Sequence, residues 1–188
     1  MLQVGDMAPD VVLTCAPDKS GLTLASLWKE GPAVLIFLRH LGCMFCREHV
    51  VQLQQARHTF EKFNTKVALI TIGNPDDTAH FCADHAPGAF FYCLCDFDKR
   101  AYQAFGLART NVKDLFLSPH IYARGFQAAL HGHFIRIPKE DPFQLPGVFI
   151  VDTTGVIRYA HRHKDAADNP PNSELFAVLE KLQQTIRK

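Results

Sequence analysis

The chain contains 188 residues with a formal net charge of +1, and 47% of them are apolar and 21% charged. This length suits one domain with a substantial core, and the composition is typical of a globular protein. The charge gives no electrostatic reason to expect nucleic acid or an anionic membrane as partner. Neither a membrane-spanning apolar stretch nor a signal peptide is recognisable. We therefore expect a cytoplasmic single domain over residues 1–188, with an insertion at about 107–143.

The first half of the chain predicts alternating strands and helices. Residues 5–28 predict one or two short strands followed by a helical turn. The continuous apolar run at 32–39 predicts a strand that is buried on both faces of a sheet. From Met44 to Phe63 apolar residues recur every three or four positions, which predicts one long helix. A strand at 66–72, a helix that begins behind Pro75 and a strand at 89–96 follow.

The second half ends in a hairpin and a helix. A short helix over "DKRAYQAF" is closed by Gly106, and residues 107–143 show no clean periodicity. Residues 147–162 alternate around "DTTG", which predicts two antiparallel strands. Ser173 then caps a final helix over 174–188. This order of elements predicts an α/β fold with a central mixed β-sheet and helices on both faces.

The segment "RHLGCMFCREH", residues 39–49, lies between the first buried strand and the long helix. Ligands and chemistry concentrate at the carboxyl ends of strands, and a helix N-terminus favours negative charge. A cysteine there, with cations nearby, can have its pKa lowered from about 8.5 to roughly 3.5–7.5. Cys46 lies one helical turn after Cys43, within reach of a disulfide. The pattern therefore predicts an exposed thiolate at Cys43 and a second thiol at Cys46.

Two other interpretations of this segment remain open. His40, Cys43, Cys46 and His49 are spaced by three, and cysteine and histidine are the usual zinc ligands. Four ligands within ten residues rarely close a tetrahedron without a second segment of chain, which weakens the zinc interpretation. The other alternative is two packed cysteines without chemistry.

The remaining cysteines and histidines give weaker signals. We expect Cys15 and Cys82 to be buried as small apolar residues, since disulfide frameworks are typical of small secreted domains. Cys93 and Cys95 face the same side of a predicted strand, so either is a candidate auxiliary thiol, but we expect simple burial for both. Two histidine pairs could bind a metal but are more often solvated: His131 with His133, and His161 with His163.

Four stretches resemble the peroxiredoxin (AhpC/TSA) branch of the thioredoxin-fold superfamily: "VGDMAPDVVL", "AVLIFLRHLGCMFCREH", "CLCDFDKRAYQAFGL" and "LPGVFIVDTTGVIRYAHRH". The similarity is greatest to a C-x-x-C subgroup that includes proteins of the prostamide/prostaglandin F synthase type. The resemblance implies a thioredoxin-like fold and a thiol-dependent antioxidant oxidoreductase that reduces peroxides, endoperoxides or disulfides. It implies no bound cofactor, an external thiol such as thioredoxin or glutathione as reductant, and compatibility with a homodimer.

The resemblance also assigns residues on the far side of the site. The family carries a cis proline facing the active-site cysteines, and Pro146 holds that position. Leu145 would then present its backbone to a bound thiol substrate. Typical peroxiredoxins have the pattern Pro-x-x-x-Thr-x-x-Cys, but here Arg39 and Cys43 stand where the proline and threonine would be. By that pattern Cys46 attacks peroxide; by the thioredoxin pattern Cys43 attacks and Cys46 resolves, which its place nearer the helix N-terminus favours.

The predicted site therefore has two parts. The catalytic residues are Cys43, Cys46, Arg39, Arg47 and His40, and the substrate-binding residues are Leu145 and Pro146. In this assignment an arginine stabilises the thiolate and the leaving oxygen, and His40 relays a proton. The alternative function is a zinc-binding or non-enzymatic interaction protein on the same fold.

Overall fold

The computed structural model describes residues 2–110 and 140–186. A seven-stranded sheet runs through this part of the chain. Its strands are β1 (Val12–Cys15), β2 (Gly21–Thr23), β3 (Ala33–Phe37), β4 (Lys66–Thr71), β5 (Phe91–Cys95), β6 (Gly147–Val151) and β7 (Ile157–Arg162). The helices are a 3-10 helix (Leu24–Leu27), α1 (Met44–Gln55), α2 (Arg57–Lys62), α3 (Pro75–His85), α4 (Arg100–Ala104) and α5 (Asn172–Ile186).

The sheet is mixed, as predicted, with strand order β2-β1-β5-β4-β3-β6-β7. Strands β3, β4 and β5 are parallel, so their carboxyl ends lie at one edge of the sheet. Strand β6 is antiparallel to β3, and β7 is antiparallel to β6. Because Gly147 pairs with Phe37, the start of β6 lies beside the end of β3. This edge therefore brings together the cysteine segment and the predicted substrate-binding residues.

Helices cover both faces of the sheet, which confirms the predicted layering. One apolar layer lies under α1, α3 and α5 and includes Ile36 and Leu179. The other lies against the 3-10 helix and α4 and includes Phe37 and Tyr102. Consecutive side chains of β3 thus enter opposite layers. That is why residues 32–39 form a continuous apolar run rather than an alternating pattern.

The long helix predicted over 44–63 is two helices. The chain turns at Ala56, whose backbone has φ −89° and ψ 3°, so α1 ends there and α2 starts at the next residue. After this turn Phe60 is fully buried and packs against the ring of Phe176, with centroids 4.9 Å apart. Local periodicity does not reveal the break, because the contact that accompanies it comes from α5.

Two other boundaries differ from the prediction. Strand β3 ends at Phe37 rather than residue 39, because the N–H group of Arg39 donates to the Cys46 sulfur instead of to a strand. Helix α5 begins at Asn172, and the N–H of Glu174 donates to the carbonyl of Pro171. Ser173 therefore lies inside the first turn and does not cap the helix.

Most of the predicted insertion, residues 111–139, lies outside the described residues. Its two flanks are adjacent: the N–H of Thr110 donates to the carbonyl of Phe143 at 2.8 Å, and Arg109 forms a bridge with Gln144. Among the helices in the described ranges, none has the length and apolar character needed to cross a membrane.

Candidate active site

The two cysteines of the C-x-x-C segment lie at the junction between β3 and α1. The N–H of Cys43 donates to the carbonyl of His40 at 3.0 Å, which closes a turn after the strand. Cys43 is the N-cap of α1, and its carbonyl accepts the N–H of Arg47 at 3.2 Å. Cys46 follows in the first helical turn. The predicted placement of both residues is confirmed.

The two thiols differ in acidity. The pKa of Cys43 is lowered to about 6, chiefly because the Cys46 thiol donates a hydrogen bond to its sulfur. The charge of Arg39 and the N–H groups of Phe45 and Cys46 lower it further, against the effect of burial, although neither N–H makes a full capping bond. The pKa of Cys46 is raised by the same hydrogen bond and by burial. The pair therefore holds its negative charge on Cys43.

The predicted exposure of Cys43 is wrong. Cys43 and Cys46 are only 3% and 2% exposed, and both are free thiols. Together with Met44 and Phe45 they pack into the apolar layer beneath α1. A protein disulfide cannot reach these sulfurs without a local opening of the segment, whereas a small oxidant needs a much smaller one.

Arg39 supplies the nearby positive charge. Its side chain is buried, and its Nη2 group donates to the carbonyl of Pro142. Its Nε group is buried without a hydrogen-bond partner among the described residues. This leaves one N–H of the guanidinium available for an oxyanion or a thiolate. Arg39 is thus both a source of the acidity of Cys43 and a donor with unused capacity.

Arg47 and His40 are also buried and lie close to Arg39. The Nε and Nη2 groups of Arg47 donate to the carbonyl of Leu41 at 3.4 and 3.3 Å, so this side chain braces the turn before α1. The pKa of His40 is lowered to about 4, first by burial and then by the charges of Arg39 and Arg47. His40 is therefore neutral at neutral pH. Its Nδ1 atom has no partner among the described residues.

Leu145 and Pro146 lie at the same edge of the sheet, but their peptide bond is trans, so the prediction of a cis proline is wrong. The N–H of Leu145 donates to the carbonyl of Ala108 at 3.0 Å, and its carbonyl accepts from the Nε2 group of Gln144. The carbonyl of Pro146 accepts the N–H of His163 at 3.3 Å. The extended entry into β6 thus satisfies these backbone groups within the protein.

A second cysteine pair was missed. Cys82 of α3 and Cys93 of β5 form a disulfide, so the prediction that both are simply buried is wrong. The order of elements indicated this pairing, because a helix that leads directly into a strand packs against it. The two cysteines are only 11 positions apart in the chain. Cys95 remains a free, buried thiol on the same side of β5 as Cys93, as predicted.

Three histidines lie close together: His49 of α1, His161 of β7 and His163 just after β7. The burial of His49 and His163 lowers their pKa to about 4 and about 2, and ring nitrogens of both lack partners among the described residues. His161 is held by the carbonyl of Asp168 at 2.8 Å. Within residues 2–110 and 140–186 no three or more His, Cys, Asp or Glu side chains converge on a metal position. His131 and His133 lie outside these ranges.

Known proteins share this architecture. The AhpC/TSA family matches residues 4–160. A prostamide/prostaglandin F synthase from Danio rerio is 28% identical over 165 residues, which cover 83% of this chain and 78% of that protein. The peroxiredoxin-like 2C protein of Mus musculus is 26% identical over 86% of this chain and 75% of its own length.

Solved structures agree on the fold. The crystal structure of peroxiredoxin 5 from Alvinella pompejana superposes with a TM-score of 0.66 over 96% of this chain and 99% of that one, at 14% identity. At that identity the likeness concerns the thioredoxin-like fold alone. Since the family match extends over most of the chain, including both cysteines of the C-x-x-C pair, the protein belongs to the AhpC/TSA family.

Proposed function

We propose that the chain is a thiol peroxidase in which Cys43 attacks and Cys46 resolves. The observation that carries this proposal is the position of Cys43 as the N-cap residue of α1, beside the charge of Arg39 and hydrogen-bonded to Cys46 in the first helical turn, which lowers the pKa of Cys43. A nucleophilic thiolate and a protonated partner are what a dithiol reaction needs at neutral pH. Membership of the AhpC/TSA family supports the same chemistry.

The first step oxidises Cys43. Its thiolate attacks the terminal oxygen of a hydroperoxide, the O–O bond breaks, and a sulfenic acid and an alkoxide form. The sulfur loses two electrons and the peroxide gains them. The Nε–H of Arg39, which has no partner among the described residues, is suited to hold the leaving oxygen, and neutral His40 is suited to pass it a proton from solvent.

The second step closes a disulfide. The Cys46 sulfur displaces water from the sulfenic acid of Cys43, and the intramolecular Cys43–Cys46 bond forms. An external dithiol, or two monothiols such as glutathione, then reduces that bond by thiol–disulfide exchange. The burial of both sulfurs implies that the first turn of α1 opens before a protein reductant such as thioredoxin engages them.

The burial also bears on the oxidised substrate. A hydroperoxide is small enough to enter through a minor displacement, so it fits this site better than a protein disulfide does. The family resemblance suggests a second substrate class, an endoperoxide. Attack by the Cys43 thiolate would break its O–O bond to give a sulfenate ester and an alkoxide, and displacement of the ester oxygen by Cys46 would form the disulfide and leave two hydroxyl groups. Leu145 and Pro146, at the same edge of the sheet, are our proposed contacts for that larger substrate.

The experiment is a thiol count with residue assignment. One equivalent of hydrogen peroxide should remove two thiols from the wild-type protein and form a Cys43–Cys46 disulfide, identified by mass spectrometry. In Cys46→Ser the sulfenic acid should persist on Cys43 and be trapped by dimedone. Cys43→Ser should give neither product. Trapping on Cys46 in Cys43→Ser, at the wild-type rate, would reverse the assignment and make Cys46 the peroxidatic residue.

The same samples test the alternative functions. A zinc-binding protein would contain near one metal per chain by elemental analysis and have no titratable thiols at 43 and 46. A non-enzymatic interaction protein would keep its full thiol count after peroxide. Either result would overturn the peroxidase proposal, and a substrate panel of hydrogen peroxide, an alkyl hydroperoxide and an endoperoxide would rank the substrates if it holds.

We further propose a cytoplasmic antioxidant role. From the family resemblance we also propose that the chain is compatible with a homodimer. The disulfide between Cys82 and Cys93 weighs against a permanently reducing compartment, since cytosolic disulfides are rare and usually redox-active. Rapid acid quenching and alkylation of cells decides this point. A reduced Cys82–Cys93 pair in unstressed cells that becomes oxidised after peroxide fits the cytoplasm, whereas a permanently oxidised pair contradicts it.

A further inference from the structure

One peptide group connects Cys46 to the other side of the sheet. The N–H of the peptide between Leu38 and Arg39 donates to the sulfur of Cys46, with a nitrogen–sulfur distance of 3.4 Å. The carbonyl of the same peptide accepts the hydroxyl of Tyr102 at 2.6 Å. The two hydrogen bonds therefore act on opposite ends of one rigid planar group.

Tyr102 approaches this peptide from the layer opposite to Cys46. Its side chain is fully buried in the layer around Phe37, whereas Cys46 lies in the layer beneath α1. The hydroxyl reaches the edge of the sheet between β3 and β4 and is also 2.8 Å from the carbonyl of Ile70. It therefore ties together the carboxyl ends of the two strands that lead into the site.

The position of Tyr102 is fixed independently of the cysteines. The carboxylate of Asp96 accepts the N–H groups of Arg100, Ala101 and Tyr102 at 2.9, 2.8 and 3.1 Å. The N–H of Asp96 in turn donates to the carbonyl of Thr71 at the end of β4. The start of α4 is thus anchored to the same edge of the sheet, so the phenol has little freedom to leave its carbonyl partner.

We propose that Tyr102 is a positioning residue for Cys46, which it controls through the Leu38–Arg39 peptide. The hydroxyl holds the plane of this peptide so that its N–H is directed at the sulfur. A donor on the carbonyl also polarises the peptide and makes its N–H a stronger donor. Both effects stabilise the thiolate of Cys46, which is the form that must attack in the resolving step.

Electrostatics agrees with this geometry. The N–H of Arg39 lowers the pKa of Cys46 against the larger effects that raise it, and the phenol is close enough to interact with the charge on that sulfur. Burial raises the pKa of Tyr102 well above its ordinary value, so the hydroxyl remains a donor throughout the working range.

The direct test does not depend on peroxide. In a Cys43→Ser background with 13C-labelled cysteine, the Cβ resonance of Cys46 reports its titration by NMR. Adding Tyr102→Phe should raise the midpoint by about 0.5–1 unit, since the thiolate loses support from a strengthened donor. Tyr159→Phe is the matched control, because its hydroxyl bonds Glu174 instead and its loss should leave the midpoint unchanged.

A second variant guards against a folding defect. Site-specific 3-fluorotyrosine at position 102 keeps the ring and makes the hydroxyl a stronger donor, so the Cys46 midpoint should move downward. A role limited to packing predicts no shift with 3-fluorotyrosine. An unchanged midpoint in both the phenylalanine and the fluorotyrosine proteins would overturn the proposal.

The kinetic consequence rests on the proposed function. In Tyr102→Phe the loss of the first thiol after peroxide should proceed at the wild-type rate, while disulfide closure should slow about two- to threefold. The smaller thiolate fraction is partly offset by the higher nucleophilicity of a more basic sulfur. Absence of any peroxide reaction in the wild type would refute the proposed function, whereas the NMR titration would still decide the role of Tyr102.

Discussion

Two cysteine pairs lie in the same apolar layer, yet they are in different chemical states. Cys43 and Cys46 are free, whereas Cys82 and Cys93 are bonded, although all four are less than 10% exposed. The first pair stands at a helix N-terminus beside the charge of Arg39. The second joins the body of α3 to the middle of β5. Burial therefore does not distinguish the free pair from the bonded one, whereas the surrounding dipoles and charges differ between the two.

The largest expected effect is on turnover. Cys43→Ser should lower peroxide reduction at least a thousandfold, because the nucleophile is removed. Cys82→Ser should leave turnover within about twofold of wild type, because that pair takes no part in the proposed reaction. Steady-state peroxide consumption with a regenerating thiol measures both. Equal losses in the two variants would mean that the pairs act together.

Acid should destabilise the folded protein through three buried histidines. His40, His49 and His163 have pKa values lowered from 6.5 to about 4, about 4 and about 2. Below pH 6.5 these histidines bind protons in the unfolded chain but not in the folded one. Their contribution to the free energy of unfolding is therefore complete above pH 6.5 and is lost as the pH falls toward 4. The expected loss at pH 5 is about 2 kcal/mol for each histidine.

Denaturant unfolding at pH 7 and pH 5 measures this loss. The variant His163→Leu should show a smaller difference between the two pH values than wild type, because one of the three histidines is gone. A pH dependence identical to that of wild type would show that His163 is protonated in the folded state at little cost.

Removal of the second pair should affect stability instead of chemistry. The Cys82–Cys93 bond closes a short loop between α3 and β5, and a bond of that kind contributes about 3 kcal/mol. Cys82→Ser/Cys93→Ser should therefore unfold at lower denaturant concentration than oxidised wild type. Reduction of wild type should produce a similar shift, and it should produce none in the double variant. A shift with reductant in the double variant would locate the effect elsewhere.

The smallest effect expected concerns the charge beside the first pair. Arg39→Met removes a cation that lowers the pKa of Cys43, so the thiolate fraction at pH 7 and the rate of sulfenic acid formation should fall about twofold. Arg39→Lys keeps the charge and should recover part of the rate. The pH profile of the first oxidation step distinguishes lost acidity, which moves the profile to higher pH, from simple misfolding, which does not.

Local patterns were sufficient for most of the fold. The apolar run of β3, the glycine that closes α4 and the "DTTG" hairpin each depend on neighbours in sequence, and all three are confirmed. The place of Cys43 at the start of α1 followed from the same patterns. Its burial did not, since that depends on how the segment after β3 packs under α1.

The parts that were missed depend on contacts between distant segments. The break at Ala56 accompanies a contact from α5, and the Cys82–Cys93 bond requires knowing that α3 lies on β5. The link between Tyr102 and the Leu38–Arg39 peptide crosses 64 positions of the chain. The proline prediction came from a family resemblance, and this chain satisfies its backbone there with a trans bond.

A hydrogen bond between Thr110 and Phe143 holds together the two flanks of the segment 111–139. The entropy cost of closing a loop rises only slowly with its length, so insertions or deletions within residues 111–139 should leave the sheet folded. The carbonyl of Pro142, next to Phe143, accepts a hydrogen bond from the guanidinium of Arg39. A change in this segment that moves Pro142 would therefore shift Arg39 and alter the pKa of Cys43, without any substitution in the sheet or its helices.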